Sequence, residues 1–314
     1  MRRVLVTGAT GFIGRHVVAA LRRDCAVVAA VRGTPADLIA DRIVSVGDIG
    51  DRTSWHEALV DVDAVVHLAA LAHRRRKTTA ERDLYREVNT FGTLALARAA
   101  ASAGIRDFIF VSSIAVHGAA GAGRDPFRET DPFRPADVYG ESKAEAERGL
   151  ADIAAETGLA CTVIRPPLVY GPGAPGSVAL LERAFARRLP LPLASVRNRR
   201  AFVAVDNLAG FIAWRLGRSN RGAEAFIVAD EGHLSTPDFV ATLAEAGGER
   251  ARLIPFAPIL LSAGLRMAGR RSLVDSLLSS LEVDIAKARS TGWRPLSDTR
   301  TGLYRLFAAG GHAS

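Results

Sequence analysis

The chain has 314 residues, 48% of them hydrophobic, and a formal net charge of +8 at pH 7. This length suggests one large or two small domains with a substantial buried core. No run of about 18 uninterrupted apolar residues occurs, so we predict no membrane span. The nearest candidate, residues 253–268, contains two prolines and an arginine. It is predicted to be a core helix or the wall of a smaller lobe.

Charge and cysteine usage narrow the class of protein. Basic clusters lie at 74–77, 187–188, 197–200 and 270–271, but most basic residues are scattered among acidic ones. Aromatic residues are only 6% of the chain, so platforms for stacking bases are not evident and no nucleic-acid partner is predicted. We expect a solvated basic surface or, second, a site for a small anion. No signal peptide, disulfide framework or metal set is recognisable, and a cytoplasmic location is predicted.

The first element combines an apolar strand with glycines. Val4, Leu5 and Val6 are followed by Gly8, Gly11 and Gly14, and helical periodicity then resumes. A strand, a tight turn and a helix amino terminus form the geometry that receives a pyrophosphate. The spacing is GxxGxxG rather than GxGxxG, and a glycine turn that serves packing alone is the alternative.

Strands and helices then alternate along the first half. Predicted helices between the strands include Gly11–Arg22, Thr53–Leu59, Ala80–Ala103 and Tyr139–Glu156. The predicted strands are Arg3–Thr7, Ala26–Val31, Ile43–Val46, Ala64–Leu68, Phe108–Ser112 and Cys161–Ile164. This alternation predicts a Rossmann-type, doubly wound parallel α/β sheet.

The pattern changes after Tyr170. Clusters of Gly and Pro at 171–176 and 189–193 interrupt it, and Phe202–Val205 and Ala225–Val228 are predicted strands that return to the main sheet. We therefore predict a dinucleotide-binding domain from 1–170 plus about 200–230. Residues 171–199 plus 231–314 are predicted to form a smaller carboxy-terminal α/β substrate lobe over the carboxyl ends of the strands.

Three side chains suggest proton-transfer chemistry. Tyr139 and Lys143 lie four residues apart, one turn along a predicted helix. A nearby ammonium favours the phenolate, so we expect Lys143 to lower the pKa of Tyr139. Ser113 follows a predicted strand and could hydrogen-bond a carbonyl oxygen. Each feature alone also fits an ordinary surface helix or turn.

The order of these motifs resembles the extended short-chain dehydrogenases/reductases, the NAD(P)-dependent epimerase/dehydratase family that acts on nucleotide sugars. The resemblance spans nearly the whole chain. It rests on the glycine turn, His67-Leu68-Ala69-Ala70, Asn89, Ser112-Ser113, Tyr139 with Lys143, the 165–172 segment and the 200–208 segment.

The resemblance implies roles for individual residues. Tyr139 would be the general acid/base, Lys143 its partner and a ribose ligand, and Ser113 the hydroxyl that polarises the oxygen on sugar carbon 4. Arg200 would clamp the diphosphate of a UDP-sugar, with Arg197 and Arg199 as rivals. The implied cofactor-binding residues are Gly8, Gly11, Phe12, Ile13, Gly14, Arg32, Asp48, Ile49, Ala69, Ala70, Tyr139, Lys143 and Pro166.

Three positions depart from the family pattern. Arg32 ends the second strand, where an NAD enzyme would carry an acidic residue, so NADP(H) is favoured and NAD(H) is the alternative. Ile114 and Ala115 replace the Asp-Glu pair of the 4,6-dehydratases, which argues against a dehydratase. Leu168 replaces a common Asn, which leaves the pose of the substrate open.

The predicted reaction is reduction of the C4 keto group of a UDP-linked, 6-deoxy, N-acetylated hexose for bacterial surface polysaccharide. The second half of the chain resembles UDP-N-acetylquinovosamine dehydrogenases, within a UDP-glucose 4-epimerase-like subgroup. A UDP-hexose 4-epimerase is the alternative, and a non-catalytic NADP-sensing or RNA-associated protein is a distant one. We also expect a homodimer formed through the helices Ala80–Ala103 and Tyr139–Glu156.

Overall fold

The computed structural model describes residues 1–33, 37–72, 79–118, 125–218, 222–269 and 271–308. The basic run 74–77 lies outside these residues. Eleven strands are found in the described part: β1 (Arg2–Thr7), β2 (Cys25–Val31), β3 (Arg42–Ser45), β4 (Ala64–His67), β5 (Asp107–Val111), β6 (Ala160–Arg165), β7 (Leu168–Tyr170), β8 (Pro190–Leu191), β9 (Phe202–Ala204), β10 (Gly222–Ile227) and β11 (Arg252–Leu253).

The helices alternate with the strands through the first half and dominate the second. They are α1 (Phe12–Leu21), α2 (His56–Leu59), α3 (Thr79–Tyr85), α4 (Gly92–Ser102), α5 (Val138–Thr157), α6 (Ser177–Ala186), α7 (Val205–Arg215), α8 (Thr236–Ala246), α9 (Pro258–Met267), α10 (Arg271–Leu277), α11 (Ala286–Ser290) and α12 (Thr299–Ala308). A π-helix (Arg86–Phe91) joins α3 to α4, and a 3-10 helix (Ile114–His117) follows β5. The predicted single helix 80–103 is therefore interrupted by a π-helical segment.

Seven strands form one parallel sheet in the order β10-β6-β5-β4-β1-β2-β3. The order runs in opposite directions from β1 towards β3 and from β4 towards β6, so a switch point lies between β1 and β4. Alternate residues of β1 enter different cores, Val4 and Val6 on one face and Leu5 on the other. The predicted doubly wound Rossmann-type fold is confirmed.

One strand assignment is wrong in its pairing. Phe202–Ala204 does not return to the main sheet but pairs with Leu168–Tyr170 in a separate two-stranded sheet. Pro166 and Pro167 follow β6 directly. Because proline has no N–H to donate to a ladder, the chain leaves the main sheet there. The other predicted strand, Ala225–Val228, does return to the main sheet, where it is observed as Gly222–Ile227 at the edge beside β6.

The second half builds its own apolar cluster. Tyr170, Phe185, Phe239 and Leu303 are among its buried members, and Phe202 stacks on Phe239 with ring centroids 4.0 Å apart. Of the two alternatives predicted for residues 253–268, the core helix is wrong. It is α9, and it contributes no buried residue.

A buried ion pair fixes α5 to the central strands. Arg165, at the end of β6, donates to both carboxylate oxygens of Glu147 on α5, the shortest contact being 2.6 Å. Both side chains are about 5% exposed, and Ser112 donates a further hydrogen bond to the same carboxylate. Burial makes the pair costly to break, because the partner left behind would be an unpaired charge.

Replacing Glu147 by Ala should lower the free energy of unfolding by about 3–5 kcal/mol, since Arg165 then stays buried without its counter-ion. The control is Glu145→Ala, which removes a pair with Arg86 whose side chains are 35% and 44% exposed. That change should cost about 1 kcal/mol or less. Urea unfolding of both variants measures the difference, and equal losses would contradict this account.

Candidate functional site

The glycine turn brings β1 close to the end of β4. Gly8 has a positive φ of 66°, and a Cβ on it would lie 2.8 Å from the backbone nitrogen of Ala69. A Cβ on Gly14 would overlap the carbonyl oxygen of Gly8. Both positions therefore need glycine, because a side chain at Gly8 would clash with the backbone after β4 and one at Gly14 would push α1 away from the turn.

The amino terminus of α1 is open to an anion. Gly11 is its N-cap, no side chain in the described residues caps it, and its first turn, beginning with Phe12 and Ile13, holds no acidic residue. The first backbone N–H groups of a helix have no partner within the helix, and the helix dipole adds positive potential there. This end of α1 therefore fits a pyrophosphate.

His67 joins three elements at the same edge of the sheet. Its Nδ1 lies 2.6 Å from the Thr7 hydroxyl and its Nε2 lies 2.9 Å from that of Thr93. The Thr93 hydroxyl donates to the carbonyl of Asn89, so Nε2 carries the proton and Nδ1 accepts from Thr7. Burial lowers the pKa of His67 to about 3, and the imidazole stays neutral.

Two charged residues mark the outer end of this cleft. Arg32 follows β2 and Asp48 follows β3, with 3.8 Å between a guanidinium nitrogen and a carboxylate oxygen. Both side chains are more than three-quarters exposed, at 80% and 93%. The half-buried Ile49 lies against Gly92 at the start of α4. The structure thus brings together three residues expected at the adenosine end of a dinucleotide.

Ser113 and Tyr139 meet at the carboxyl end of β5. Ser113 is the N-cap of the 3-10 helix, and its side chain accepts a hydrogen bond from the Ala115 backbone. Its hydroxyl is near enough to the Tyr139 phenol to act on the pKa of that phenol, which it lowers. The Pro166 carbonyl accepts from the Ile114 N–H at 3.0 Å, which holds the turn carrying Ser113 against the end of β6.

The expected lowering of the Tyr139 pKa is not observed. Burial raises that pKa to about 12, although the Ser113 hydroxyl acts in the opposite direction. Lys143 is buried, donates to the Val111 carbonyl at 2.9 Å and lies over the Phe110 ring. Burial lowers the pKa of Lys143 to about 7. Tyr139 is therefore a neutral phenol and a proton donor at neutral pH.

Asn89 links the segment after β4, at Leu71, to α5. Its amide accepts from the Leu71 N–H at 2.8 Å and donates to the Leu71 carbonyl and to the Ser142 hydroxyl. Thr90 donates to the Ser142 carbonyl, so two successive residues of the π-helix hold the helix next to Lys143. The sequence analysis assigned Asn89 no role of its own. Its polar side chain in a predicted helix was the feature that could have indicated one.

Gly140 was missed by the sequence analysis. A Cβ on this residue would lie 2.7 Å from the Ala115 carbonyl oxygen and 3.1 Å from the Pro135 side chain. The amino-terminal turn of α5 can approach the Ser113 turn this closely only because residue 140 has no side chain. Gly140 therefore sets the distance between Tyr139 and Ser113.

Arg200 is buried in the second half, whereas Arg199 forms a half-exposed pair with Glu282. One guanidinium nitrogen of Arg200 donates to the carbonyls of Asp275 and Ser279, while its Nε, also buried, has no hydrogen-bond partner among the described residues. Burial lowers its pKa to about 10, so the charge persists at neutral pH. A buried cation with a free donor fits an anionic group.

These features together fit a dinucleotide along the carboxyl edge of the sheet. The uncapped end of α1 would take the pyrophosphate, and Ala69 and Ala70 leave room beside it because their side chains are small. Arg32, Asp48 and Ile49 lie at one end, and Ser113, Tyr139 and Lys143 lie at the end of β5 and the start of α5. The arrangement suits proton transfer to or from a substrate oxygen beside a bound cofactor.

Comparisons with known proteins agree with this geometry. Residues 4–229 match the model of the NAD dependent epimerase/dehydratase family. A UDP-glucose 4-epimerase of Vibrio cholerae is 35% identical over 98% of this chain and 95% of its own length. The structure of MoeE5 in complex with UDP-glucuronic acid and NAD has a TM-score of 0.79 at 27% identity, covering 97% of both chains.

A UDP-N-acetylglucosamine 4-epimerase from Bacillus cereus has the same fold, with a TM-score of 0.79 at 20% identity, over 98% of this chain and 99% of its own. The family model covers well over half of the chain, and its residues include the glycine turn, Ser113, Tyr139 and Lys143. The chain therefore belongs to the NAD dependent epimerase/dehydratase family and is an NAD(P)-dependent enzyme of the extended short-chain dehydrogenase/reductase type.

Proposed function

We propose that this chain is a UDP-hexose 4-epimerase. The observation that carries the proposal is the buried Tyr139 phenol near the Ser113 hydroxyl, with the buried Lys143 one helical turn along, at the edge of the sheet where the uncapped end of α1 could take an anion. The similarity to the Vibrio cholerae epimerase over nearly the full length of both chains supports the choice of reaction.

The side chains suit both halves of an epimerisation. A bound nicotinamide would accept and return the hydride at carbon 4. The Tyr139 phenol gives its proton to the sugar oxygen when a keto group is reduced, and Ser113 hydrogen-bonds the same oxygen. In the oxidising half the phenolate form of Tyr139 would accept the proton of the sugar hydroxyl, a form that burial disfavours in the chain without bound ligand.

Arg200 and the smaller lobe would hold the UDP part of the substrate. A guanidinium binds diphosphate oxygens in a bidentate manner, and the unpartnered Nε of Arg200 supplies a buried donor for this purpose. The lobe boundaries that we propose are 171–199 plus 231–314. The remainder, 1–170 plus about 200–230, would form the dinucleotide-binding domain.

The 4-keto reductase is the second candidate, and Arg32 favours it. A cation at the end of β2 suits the 2′-phosphate of NADP(H), the cofactor that a net reduction consumes. MoeE5 was solved with NAD, so its similarity supports NAD(H) as the alternative. Ile114 and Ala115 cannot transfer protons, which speaks against 4,6-dehydration.

Two further proposals concern assembly and location. A homodimer through α4 and α5 is supported by the small side chains of α4, where Ala95 and Ala99 stay partly accessible, and by Phe91, which is 39% exposed. A cytoplasmic location is supported by Cys25 and Cys161, which are both free and buried.

Tyr139→Phe should lower the turnover of UDP-glucose to UDP-galactose by about 10²–10⁴, because the ring keeps its packing and loses the transferable proton. Dinucleotide affinity should stay within about twofold, since the phenol is one contact among many. The control is Tyr304→Phe, at a half-buried tyrosine of α12 that packs against the apolar cluster of the second half. Chromatography of the UDP-sugars measures the rate, and near-normal turnover of Tyr139→Phe would contradict the proposed acid.

Gly140→Ala should lower kcat by about tenfold or more, because a displacement of the catalytic groups near 1 Å is already costly. The new Cβ meets a backbone oxygen that cannot move aside freely. Gly210→Ala is the matched control, since a Cβ there has no neighbour within 4 Å. A kcat of Gly140→Ala equal to that of the control would show that this approach does not set the site.

Arg32→Asp should reverse the preference between NADPH and NADH. The unaltered chain is expected to bind NADPH about tenfold more tightly, which corresponds to one hydrogen bond to a charged group. Asp48→Asn should strengthen NADPH binding, because the competing carboxylate 3.8 Å from Arg32 is removed. Calorimetry measures the dissociation constants of NADPH and NADH. An unaltered chain that binds NADH more tightly would contradict the role of Arg32 and with it the support for the reductase.

A further inference from the structure

The helix α9 and the segment before it present apolar side chains to solvent. Ile259 is 81% exposed, Leu260 63% and Met267 88%, while Ile254 and Phe256 are each just over 40% exposed. The ten residues of α9 contain only two polar side chains, Ser262 and Arg266. We call residues 254–267 the apolar ridge.

One side of α9 holds it to the protein, and the residues of the other side are exposed in the described part of the chain. Leu261 packs against the apolar cluster of the second half, and Leu265, one turn later, is half-buried. Ile259, Ala263 and Met267 follow the opposite side at spacings of four residues. A helix that is apolar all round is normally buried, so this exposed side indicates a surface made to be covered.

The charge around the ridge identifies what could cover it. Residues 250–274 contain five arginines and no lysine, aspartate or glutamate. Arg250, Arg252 and Arg266 are exposed, and Arg252 donates to the carbonyl of Arg188, another exposed arginine. A symmetric contact between two copies would bring these arginines against one another, which is unfavourable. An anionic surface would pair with them.

We propose that the apolar ridge docks the chain reversibly on a membrane that contains anionic phospholipids. Ile259, Leu260 and Met267 enter the boundary between headgroups and acyl chains, and the arginines pair with phosphates. The length of α9 is about 15 Å, which is half the thickness of the hydrocarbon core of a bilayer. No helix in the described residues is long and apolar enough to cross a membrane. The helix therefore lies in the plane of the interface. This proposal does not depend on the sugar substrate.

Flotation of the full chain with vesicles tests it. Binding is expected with phosphatidylcholine vesicles that contain phosphatidylglycerol, and it should weaken with added salt. The double variant Ile259→Gln, Met267→Gln should reduce the bound fraction about tenfold or more, because two large apolar contacts are lost. Arg266→Gln should reduce it about fivefold. Leu296→Gln, at a 70% exposed leucine outside the ridge, should leave it unchanged.

The folded state of each variant is checked by its melting temperature, which should not change because the altered side chains are mostly exposed. Absence of binding to anionic vesicles, or an unchanged bound fraction for the double variant, would overturn the proposal. Equal binding to neutral vesicles would overturn the role of the arginines. If the unaltered chain did not bind vesicles but sedimented faster than the double variant, the ridge would instead be a contact between copies of the chain, and the proposal would be overturned.

Discussion

The docking of α5 against the ends of β5 and β6 is the constraint on which the site depends. The Lys143 ammonium donates to the last residue of β5, and one turn later Glu147 pairs with Arg165 at the end of β6. Gly140 allows the first turn of the helix to touch the Ser113 turn. Polar groups buried in this way must be satisfied together, so the helix has little freedom to shift and the positions of Tyr139 and Lys143 are fixed.

The neighbouring strands extend this arrangement. Parallel strands end at one edge of the sheet, so Thr7 of β1 and His67 of β4 meet there, and Thr93 of α4 completes a buried chain of hydrogen bonds behind the glycine turn. Burial keeps His67 neutral by lowering its pKa, and the nearby Lys143 ammonium acts in the same direction. The same edge would therefore offer both a site for a pyrophosphate and a site for proton transfer. The two are held at a fixed separation by elements that share one core.

Much of this could be predicted from local patterns. Apolar runs, glycine spacing and the Tyr139–Lys143 interval identified the sheet and most of the candidate site, since each depends on residues close in sequence. The pairing of Phe202–Ala204 could not be predicted from local patterns. Its partner strand, Leu168–Tyr170, leaves the main sheet after Pro166 and Pro167 and is distant from it in sequence. Burial is also a property of the folded state. It raises the pKa of Tyr139 where spacing alone predicted the opposite.

The central claim is that a UDP-hexose bound beside Ser113, Tyr139 and Lys143 would lose a hydride from carbon 4 to a bound nicotinamide and regain it within one binding event. UDP-glucose carrying deuterium at carbon 4 tests this most directly, with NMR detection of the UDP-galactose formed in the presence of unlabelled dinucleotide. The account predicts that the deuterium is found at carbon 4 of the product. UDP-galactose that has lost the label, or a chain that forms no UDP-galactose at all, would contradict it.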